Sequence, residues 1–416
     1  MKVMVIGSGG REHALAWKLA QSKRIKKIYC VPGNGGTALE QKCENVNISD
    51  VKDIALFAKE NNVKLTVVGP EDYLVNGIVD EFKKYDLKII GPDKKAASLE
   101  GSKVFAKNFA KKYGVQTANY EVFDNYTKAL DYLKNVKFPV VIKADGLAAG
   151  KGVTIVNDFS EAQEAVTNLM EKGIFSGAGK RIVVEQFLKG FEMSVFILLD
   201  GKSYRIFQTA KDHKKALEGE KGANTGGMGA ISPHPEFKGE LKRKIQRKII
   251  EPTIEGIIKE KLEYTGILFI GLMIKEDEPY LLEYNVRFGD PETQAILPLL
   301  ETDLLEVFEH VENRELENLK LKWKNAVSCC VVAASKGYPF NYEKGFEIKV
   351  NATSDISTIF FAGVKYKNGK LLTNGGRVLA VVELGKDILE ARYRVYNSIK
   401  RVHFKNIYYR KDIGKV

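Results

Sequence analysis

The chain has 416 residues, 44% hydrophobic and 28% charged, which excludes a disordered, collagen-like or coiled-coil protein and leaves room for about two to four domains. Lys and Arg number 65 against 53 Asp and Glu, but the excess is scattered over Lys-rich stretches such as Lys23–Lys27 and Lys242–Lys244. That reads as a solvated surface more than as a nucleic-acid partner. No run approaches the ~18 apolar residues of a membrane span, and the apolar stretch at Met1–Ile6 is too short for a signal peptide and reads as a first strand. The four cysteines lack CxxC spacing and read as free thiols of a reducing cytoplasm, with the adjacent Cys329 and Cys330 on opposite faces of a strand.

Residues 1–100 alternate apolar runs with helical patterning. Strands are expected at Val3–Ile6, Ile28–Val31, Leu65–Val68 and Lys88–Ile90, and helices at Glu12–Ser22, Val51–Glu60 and Val75–Lys84. This spacing implies βαβ units and a parallel sheet. Turn signals follow the strands at Gly7–Gly10, Pro32–Gly36, Gly69–Glu71 and Gly91–Pro92, on the edge where open α/β sheets bind ligands. A helix over Lys103–Tyr113 leads to a glycine-rich centre, Gly146–Gly152. Strands return at Arg181–Glu185, Met193–Leu199, Leu268–Ile274 and Tyr280–Val286, around a basic helix, Gly239–Lys261, that Pro252 should break or kink. From Ala326 a strand-rich module is expected, with strands Val327–Ala334, Gly345–Val350, Thr358–Val364 and Val378–Glu383 and a helix Asp387–Ile399.

Gly7-x-Gly9 after a first strand invites a dinucleotide reading, but Glu12 stands where the third glycine belongs, and the second strand ends at Val31-Pro32 without a ribose-binding acid. Anion binding by the N–H groups of Gly9 and Gly10 survives, beside the alternative of a plain tight turn. The apolar strand Phe138–Ile142 ends in Lys143, and the loop that follows departs from a Walker A pattern: three residues separate Gly146 from Gly150, and Gly152 replaces the Ser/Thr after Lys151. Val153–Val156 then reads as a strand, so the unit is a hairpin flap. Its glycines let backbone N–H groups approach phosphate, with Lys143 and Lys151 adding charge; a glycine-rich hairpin with solvated lysines is the alternative. The strand ending Glu185-Gln186-Phe187-Leu188, with Glu192 beyond, can offer an adenine edge and a ribose acid, or equally a core strand. In Leu281–Arg287 the period of two puts Glu283, Asn285 and Arg287 on one face, and Leu282, Tyr284 and Val286 on the other. An acid, an amide and a guanidinium together suit a hard-oxygen Mg²⁺ site beside an anion clamp; a polar sheet face is the alternative.

A strand-end lysine, a glycine-rich flap, an adenine-edge linker and an E-x-N strand together resemble the ATP-grasp ligases. Asn224–Gly229, Arg287–Gln294 (R-F-G-D-P-E-T-Q), Gly7–His13, Lys143–Gly152, Thr373–Val378 and the closing Arg410–Gly414 are similar to the phosphoribosylamine–glycine ligase (glycinamide ribonucleotide synthetase) family over essentially the whole chain. One departure is Ala223, where the family usually has Pro. The resemblance implies an α/β multidomain protein. It would have an open parallel N-terminal domain (1–102), an ATP-grasp core (103–325) with a mobile flap (about 120–190), and a small strand-rich C-terminal domain (326–416). It implies a cytoplasmic enzyme of de novo purine synthesis that joins glycine to 5-phosphoribosylamine through glycyl phosphate, with ATP as co-substrate and Mg²⁺ or Mn²⁺. No nucleic-acid or membrane partner is implied, and the chain is expected as a monomer, with a homodimer as the alternative.

Residue by residue, the resemblance places Lys103, Lys143 and Lys151 with Gly146, Gly150 and Gly152 at the ATP phosphates. It places Glu185, Gln186, Phe187 and Leu188 at adenine, Glu192 at ribose, and Glu283 and Asn285 at the metal. Arg287 would bind the glycine carboxylate or the transferring phosphoryl group. Gly226, Gly227 and Met228 would offer backbone N–H donors to an acyl phosphate or oxyanion. Asp212 would pair with the glycine ammonium, or form a surface ion pair; His213 is the weaker candidate for a base. Asp290 and Glu292 would orient substrate, or Asp290-Pro291 would only shape a turn. The phosphoribosyl group would lie along Gly9, Gly10, Asn34 and Glu71. Competing readings are another ATP-grasp ligase or carboxylase, a nicotinamide-dependent dehydrogenase and a nucleic-acid-binding protein.

Overall fold

The computed structural model describes every residue except 149–151, 174–177, 352–357 and 416. Strand Lys2–Gly7 lies at the centre of a parallel sheet, flanked by Lys27–Pro32 and Cys43–Asn45 on one side and by Val63–Val68 and Ile89–Pro92 on the other. Met4 and Ile6 enter one apolar cluster, and Val3 and Val5 the cluster on the opposite face. A parallel sheet covered by helices on both sides requires this continuous apolar character. The single helix expected over Val75–Lys84 is instead two, Glu71–Val75 and Ile78–Lys83. Between them Gly77 takes φ +85°, a left-handed conformation that ends one helix and opens the next.

The same sheet continues out of this domain. The twelve-residue strand Tyr264–Lys275 pairs antiparallel with Ile89–Pro92 through Tyr264 and Thr265, then with Phe191–Leu199 and Glu278–Asn285 along the rest of its length. From Phe191–Leu199 the sheet runs through Tyr204–Asp212, Gly229–Ser232, Val327–Ser335 and Arg377–Gly385 to Thr358–Phe361, 14 strands in all. Its continuity fixes the N-terminal, central and C-terminal parts relative to one another, and the crevice lies where they meet. Cys329 and Cys330 enter different clusters, as strand alternation predicts, and all four thiols are free.

Three other expectations are corrected. The basic helix is interrupted before Pro252, by a π-helical turn at Gln246–Ile250. Pro252 then falls in the first turn of Glu251–Lys259, and the carbonyl of Lys248, four residues before it, accepts from Gln116 N at 3.1 Å in place of the N–H that proline lacks. Of residues 345–350 only Lys349–Val350 is strand, and Gly345 takes φ +90°. The strand expected over Thr358–Val364 divides into Thr358–Phe361 and Val364–Lys367. The break falls at Gly363, where an added Cβ would lie 2.5 Å from the Cα of Gly375, a backbone approach that only glycine permits.

A separate antiparallel sheet of four strands, in the order Tyr120–Phe123, Ile182–Gln186, Val140–Ala144, Val153–Val156, carries its own core around Leu133, Ile142, Val156, Val166 and Ile182. Val140 pairs with Val156 and Lys143 with Val153, so the strands on either side of the glycine-rich segment form a hairpin, as expected; within that segment 149–151 lie outside the described residues.

Candidate active site

Lys143 stands opposite Val183, and Glu185 opposite Val141, so the two are diagonal neighbours on one face of the small sheet. Their side chains meet at 2.9 Å, and Lys107 from the helix Lys103–Tyr113 reaches the same carboxylate oxygen at 3.1 Å. All three are buried, and the other oxygen of Glu185 has no partner. Burial, reinforced by Lys143, pushes the Lys107 ammonium down to about 8 although Glu185 favours its charge. Lys143 also donates to the carbonyl of Leu282 at 3.3 Å. Lys103 donates to the carbonyl of Gly146 at 3.3 Å, and Asp145 ties the hairpin to the helix start, accepting from Ser102 Oγ at 2.8 Å and Val104 N at 3.1 Å. Gly152 sits beside Ala148 and Ala144, while Gly150 and Lys151 lie outside the described residues. Gln186 is exposed, Leu188 buried, and Glu192 pairs with Lys214 at 3.1 Å.

In the metal-strand candidate the strict alternation fails. The register shifts at Leu282, so Leu281 and Tyr284 enter the core together and Leu282 does not. A β-bulge supplies the extra residue, and its freed carbonyl is the one Lys143 reaches. Glu283 and Asn285 remain together near the cations. Burial works against ionisation of Glu283, yet Lys214, Lys103, Lys143 and Arg287, from four separate segments, hold its carboxyl below the usual range. The side-chain nitrogen of Asn285 is buried without a partner. That nitrogen is a donor and no metal ligand; it is the ionised carboxylate of Glu283 with the amide oxygen of Asn285 that fits a hard cation taking its remaining ligands from a nucleotide. Among the described residues no group of three or more His, Cys, Asp or Glu forms a complete metal site.

Arg287 is held from two sides, by Glu71 at 3.0 Å and Glu100 at 2.8 Å, and donates to the carbonyl of Phe288 at 3.3 Å. Glu100 also accepts from Val286 N at 2.7 Å; burial raises its carboxyl to about 7 although Arg287 opposes this. Asp212 lies at the end of Tyr204–Asp212 with one oxygen buried and unpartnered. Burial, then the neighbouring Glu292, drives its carboxyl well up, and Glu292, which accepts from Ser194 Oγ at 3.2 Å, is also raised by burial. Lys214 is raised, chiefly by Glu192. His213 is pushed down to about 4 by burial and by Lys211, so its ring is neutral, with Nδ1 3.3 Å from the carbonyl oxygen of Gly229.

Two groups of expected donors are already engaged. The N–H of Gly226 donates to Tyr338 Oη at 3.0 Å, that of Gly227 to Thr225 Oγ1 at 3.0 Å, and that of Met228 to the His213 carbonyl at 2.8 Å. This turn therefore shapes the crevice and does not present free amides. The N–H of Gly9 donates to Glu12 at 2.6 Å, so a buried carboxylate of the protein occupies the place expected for phosphate. Asn34 is also turned inward: its amide donates to the carbonyls of Ser8 at 2.9 Å and Phe361 at 2.8 Å and accepts from Gly36 N and Thr37 N. Gly10 abuts Gln294.

Sequence reasoning missed four charged groups. Arg377, visible only as part of T-N-G-G-R-V, donates to the carbonyls of Gly226, of Gly227 and, at 2.8 Å, of Asp290, whose carboxylate it meets at 3.2 Å. Lys214 was legible only as the neighbour of Asp212 and His213. Lys107 and Glu100 gave no local signal, because their partners lie 78 and 187 positions away.

Three family descriptions match the chain in order: Phosphoribosylglycinamide synthetase, N domain, over residues 1–100; the ATP-grasp (A) domain over 101–293; and the C domain over 328–416. The phosphoribosylamine–glycine ligases of Clostridium acetobutylicum and Caldanaerobacter subterraneus are 51% and 48% identical to it, over 100% of this chain and 100% and 99% of theirs. The crystal structure of phosphoribosylamine–glycine ligase from Thermotoga maritima is similar with a TM-score of 0.88 at 36% identity, covering 99% of this chain and 100% of that one. The biotin carboxylase domain of Hydrogenobacter thermophilus 2-oxoglutarate carboxylase, in complex with MgADP, shares the fold with a TM-score of 0.75 at 13% identity, over 98% of this chain and 91% of that one.

Proposed function

This chain belongs to the phosphoribosylglycinamide synthetase family, and from that premise we propose how its crevice joins glycine to 5-phosphoribosylamine with cleavage of ATP to ADP and phosphate, forming glycinamide ribonucleotide for purine biosynthesis. A carboxylate does not acylate an amine at neutral pH without a leaving group. One glycine carboxylate oxygen therefore attacks the γ-phosphorus and ADP leaves. The amine of phosphoribosylamine then adds to the carbonyl of glycyl phosphate, and phosphate departs with that oxygen. The observation that carries this reading is Glu283: a half-buried carboxylate whose ionised form is favoured by four cations drawn from separate segments. Such preorganised charge suits phosphoryl transfer, which needs positioning and charge neutralisation above all.

In this reading Lys103, Lys143 and Lys151 take the ATP phosphates under the hairpin that carries Gly146, Gly150 and Gly152. Glu185 through Leu188 hold adenine, and Glu192 the ribose. Mg²⁺ or Mn²⁺ would be held by Glu283 and Asn285 and would neutralise charge on the nucleotide phosphates. Arg287 has N–H groups left beyond those spent on Glu71, Glu100 and Phe288, and these receive the glycine carboxylate or the transferring phosphoryl group. Burial drives Asp212 and Glu292 towards the neutral state, with Glu292 adding to the rise at Asp212; an ammonium placed between them favours their ionised forms, so glycine binds there by its amino end. Asp290, held by Arg377, orients the turn at Gly227. The phosphoribosyl group lies along Gly10, Asn34 and Glu71, with Gly9 contributing shape and no free N–H. Closure of the hairpin excludes water from a hydrolysable acyl phosphate.

The working units are 1–102, 103–325 with the flap at about 120–190, and 326–416. Among the described residues no helix is long and apolar enough to cross a membrane. We place the enzyme in the cytoplasm, where its free thiols are stable, as a monomer acting on small molecules. The test is phosphate release with ATP, glycine and phosphoribosylamine formed in situ from ribose 5-phosphate and ammonia. Turnover should require all three; phosphate release that continues at full rate without glycine would overturn the assignment.

A further inference from the structure

The closing motif Arg410–Gly414 takes no part in the chemistry above, yet Arg410 is completely buried. Its guanidinium donates to the carbonyl of Lys215 at 2.9 Å, to Glu220 at 2.6 Å and to both oxygens of Asp412 at 2.8 and 2.9 Å. The neighbouring tail residues reach the same hairpin. Tyr408 Oη donates to the carbonyl of Ala216 at 2.8 Å, Gly219 N donates to Asp412 at 2.8 Å, and Lys411 N donates to Glu218 at 3.1 Å. Ile413 packs against Gly229, where an added Cβ would come within 2.8 Å of its side chain. The tail is itself anchored on the last long helix: Tyr396 Oη donates to the carbonyl of Arg410 at 2.8 Å and accepts from Ile413 N at 3.0 Å.

The hairpin held in this way, Lys215–Leu217 with Lys221–Asn224, is a two-stranded ribbon whose Leu217 is exposed. An isolated ribbon of this kind is marginal in water, so its position depends on what grips it. Its base is the crevice. Lys214 precedes the first strand and Thr225 follows the second; Thr225 donates to the Lys214 carbonyl from its N–H at 2.8 Å and its Oγ1 at 2.7 Å, and Gly227 N donates to Thr225 Oγ1.

We propose that Arg410 is a positioning residue for the glycine end of the site: by clasping the 215–224 hairpin it fixes Lys214 and the Gly226–Gly227 turn relative to Asp212 and Glu292. Among the described residues the tail makes no hydrogen bond or ion pair to the small sheet at the nucleotide end, and its reach there is indirect, through the Lys214–Glu192 pair at 3.1 Å. The proposal rests on the ligase reading, and wild-type turnover tests that reading separately. Arg410→Met removes the fork and keeps the stem; Arg410→Lys keeps the charge without the fork geometry. Arg410→Met should raise the KM for glycine about tenfold or more, the scale expected for a small misplacement at a reacting site, with a several-fold smaller rise in the KM for ATP, transmitted through the Lys214–Glu192 pair. Arg410→Lys should fall between wild type and Arg410→Met. Amide exchange over 215–225 should accelerate while that over 191–199 stays unchanged, a readout that does not depend on activity. A glycine KM within about twofold of wild type, or parallel rises in both KM values, would overturn the proposal. If Arg410→Met does not fold, Glu220→Gln, altered on the exposed side of the clasp, should shift the glycine KM in the same direction by a smaller factor, and by more than the KM for ATP; an unchanged glycine KM there would also overturn it.

Discussion

Lys107→Met tests whether the crevice keeps a buried charge against its own stability. Lys107 shares one oxygen of Glu185 with Lys143, and its ammonium is pushed down to about 8 from an ordinary 10.5, chiefly by burial. At about 1.4 kcal/mol per pH unit, holding it ionised at pH 7 costs about 3 kcal/mol. Methionine fills similar volume without that cost. What is lost is the bond to Thr117 Oγ1 at 2.6 Å, worth about 1 kcal/mol; Thr117 still donates to the carbonyl of Leu281 at 2.8 Å, and Glu185 still meets Lys143 at 2.9 Å. Lys107→Met should therefore stabilise the unliganded protein by about 1–2 kcal/mol, while raising the KM for ATP because Glu185 loses one of its two restraints. The assay is urea unfolding followed by tryptophan fluorescence: Trp17 packs on Phe360 and Trp323 on Phe207, so both report the large sheet. The sign with pH follows from a folded pKa below the unfolded one. The cost is full below about 8 and is relieved as pH rises to 10.5, so the gap between variant and wild type should close at alkaline pH. A loss of about 3 kcal/mol or more in Lys107→Met, the penalty for breaking a buried pair, would refute the reasoning. Glu185→Gln, which leaves two ammonium groups facing each other, should show that loss.

Glu283→Ala should lower kcat by about 10²-fold or more in the phosphate-release assay, and unimpaired turnover would rule out its place at the reacting phosphates. Glu12→Ala should cost about 3–5 kcal/mol in the urea assay, because Gly9 N and the Arg11 guanidinium lose a buried carboxylate they meet at 2.6 and 2.5 Å; a change under about 1 kcal/mol would show that the carboxylate does not hold the turn. His213 and His234 are each pushed down to about 4 by burial, so the unfolded chain binds more protons than the folded one between pH 6.5 and 4. Their contribution is complete above pH 6.5 and falls away below it, by up to about 3 kcal/mol each; His234→Leu should flatten the acid limb of a Tm-against-pH curve, and an unchanged limb would contradict this.

The alternation of strands and helices in the first hundred residues was readable because each apolar run is short and ends in glycine or proline. The same is true of Lys143 at the end of its strand and of Glu283 beside Asn285, where strand period alone places the groups. What stayed hidden depends on distant contacts. Glu12 stands three residues after Gly9, the spacing at which a glutamate reaches back to a helix-cap N–H, but the glycine-rich turn drew the phosphate reading instead, and the structure shows a self-occupied loop. The amides of Gly226–Met228 look free in sequence, and only the arrival of Tyr338, Thr225 and the His213 carbonyl engages them. The bulge at Leu282 breaks the period of two without a glycine or proline to mark it. Arg377 and Arg410 reach across from the C-terminal part, and their motifs were visible before any role for them was.

Isotope transfer tests the central claim, activation of glycine by phosphoryl transfer, most directly. With glycine labelled with ¹⁸O in both carboxylate oxygens, turnover with ATP and phosphoribosylamine should deliver one ¹⁸O to each inorganic phosphate released and leave the other in the amide carbonyl. Unlabelled phosphate formed alongside glycinamide ribonucleotide would contradict the account.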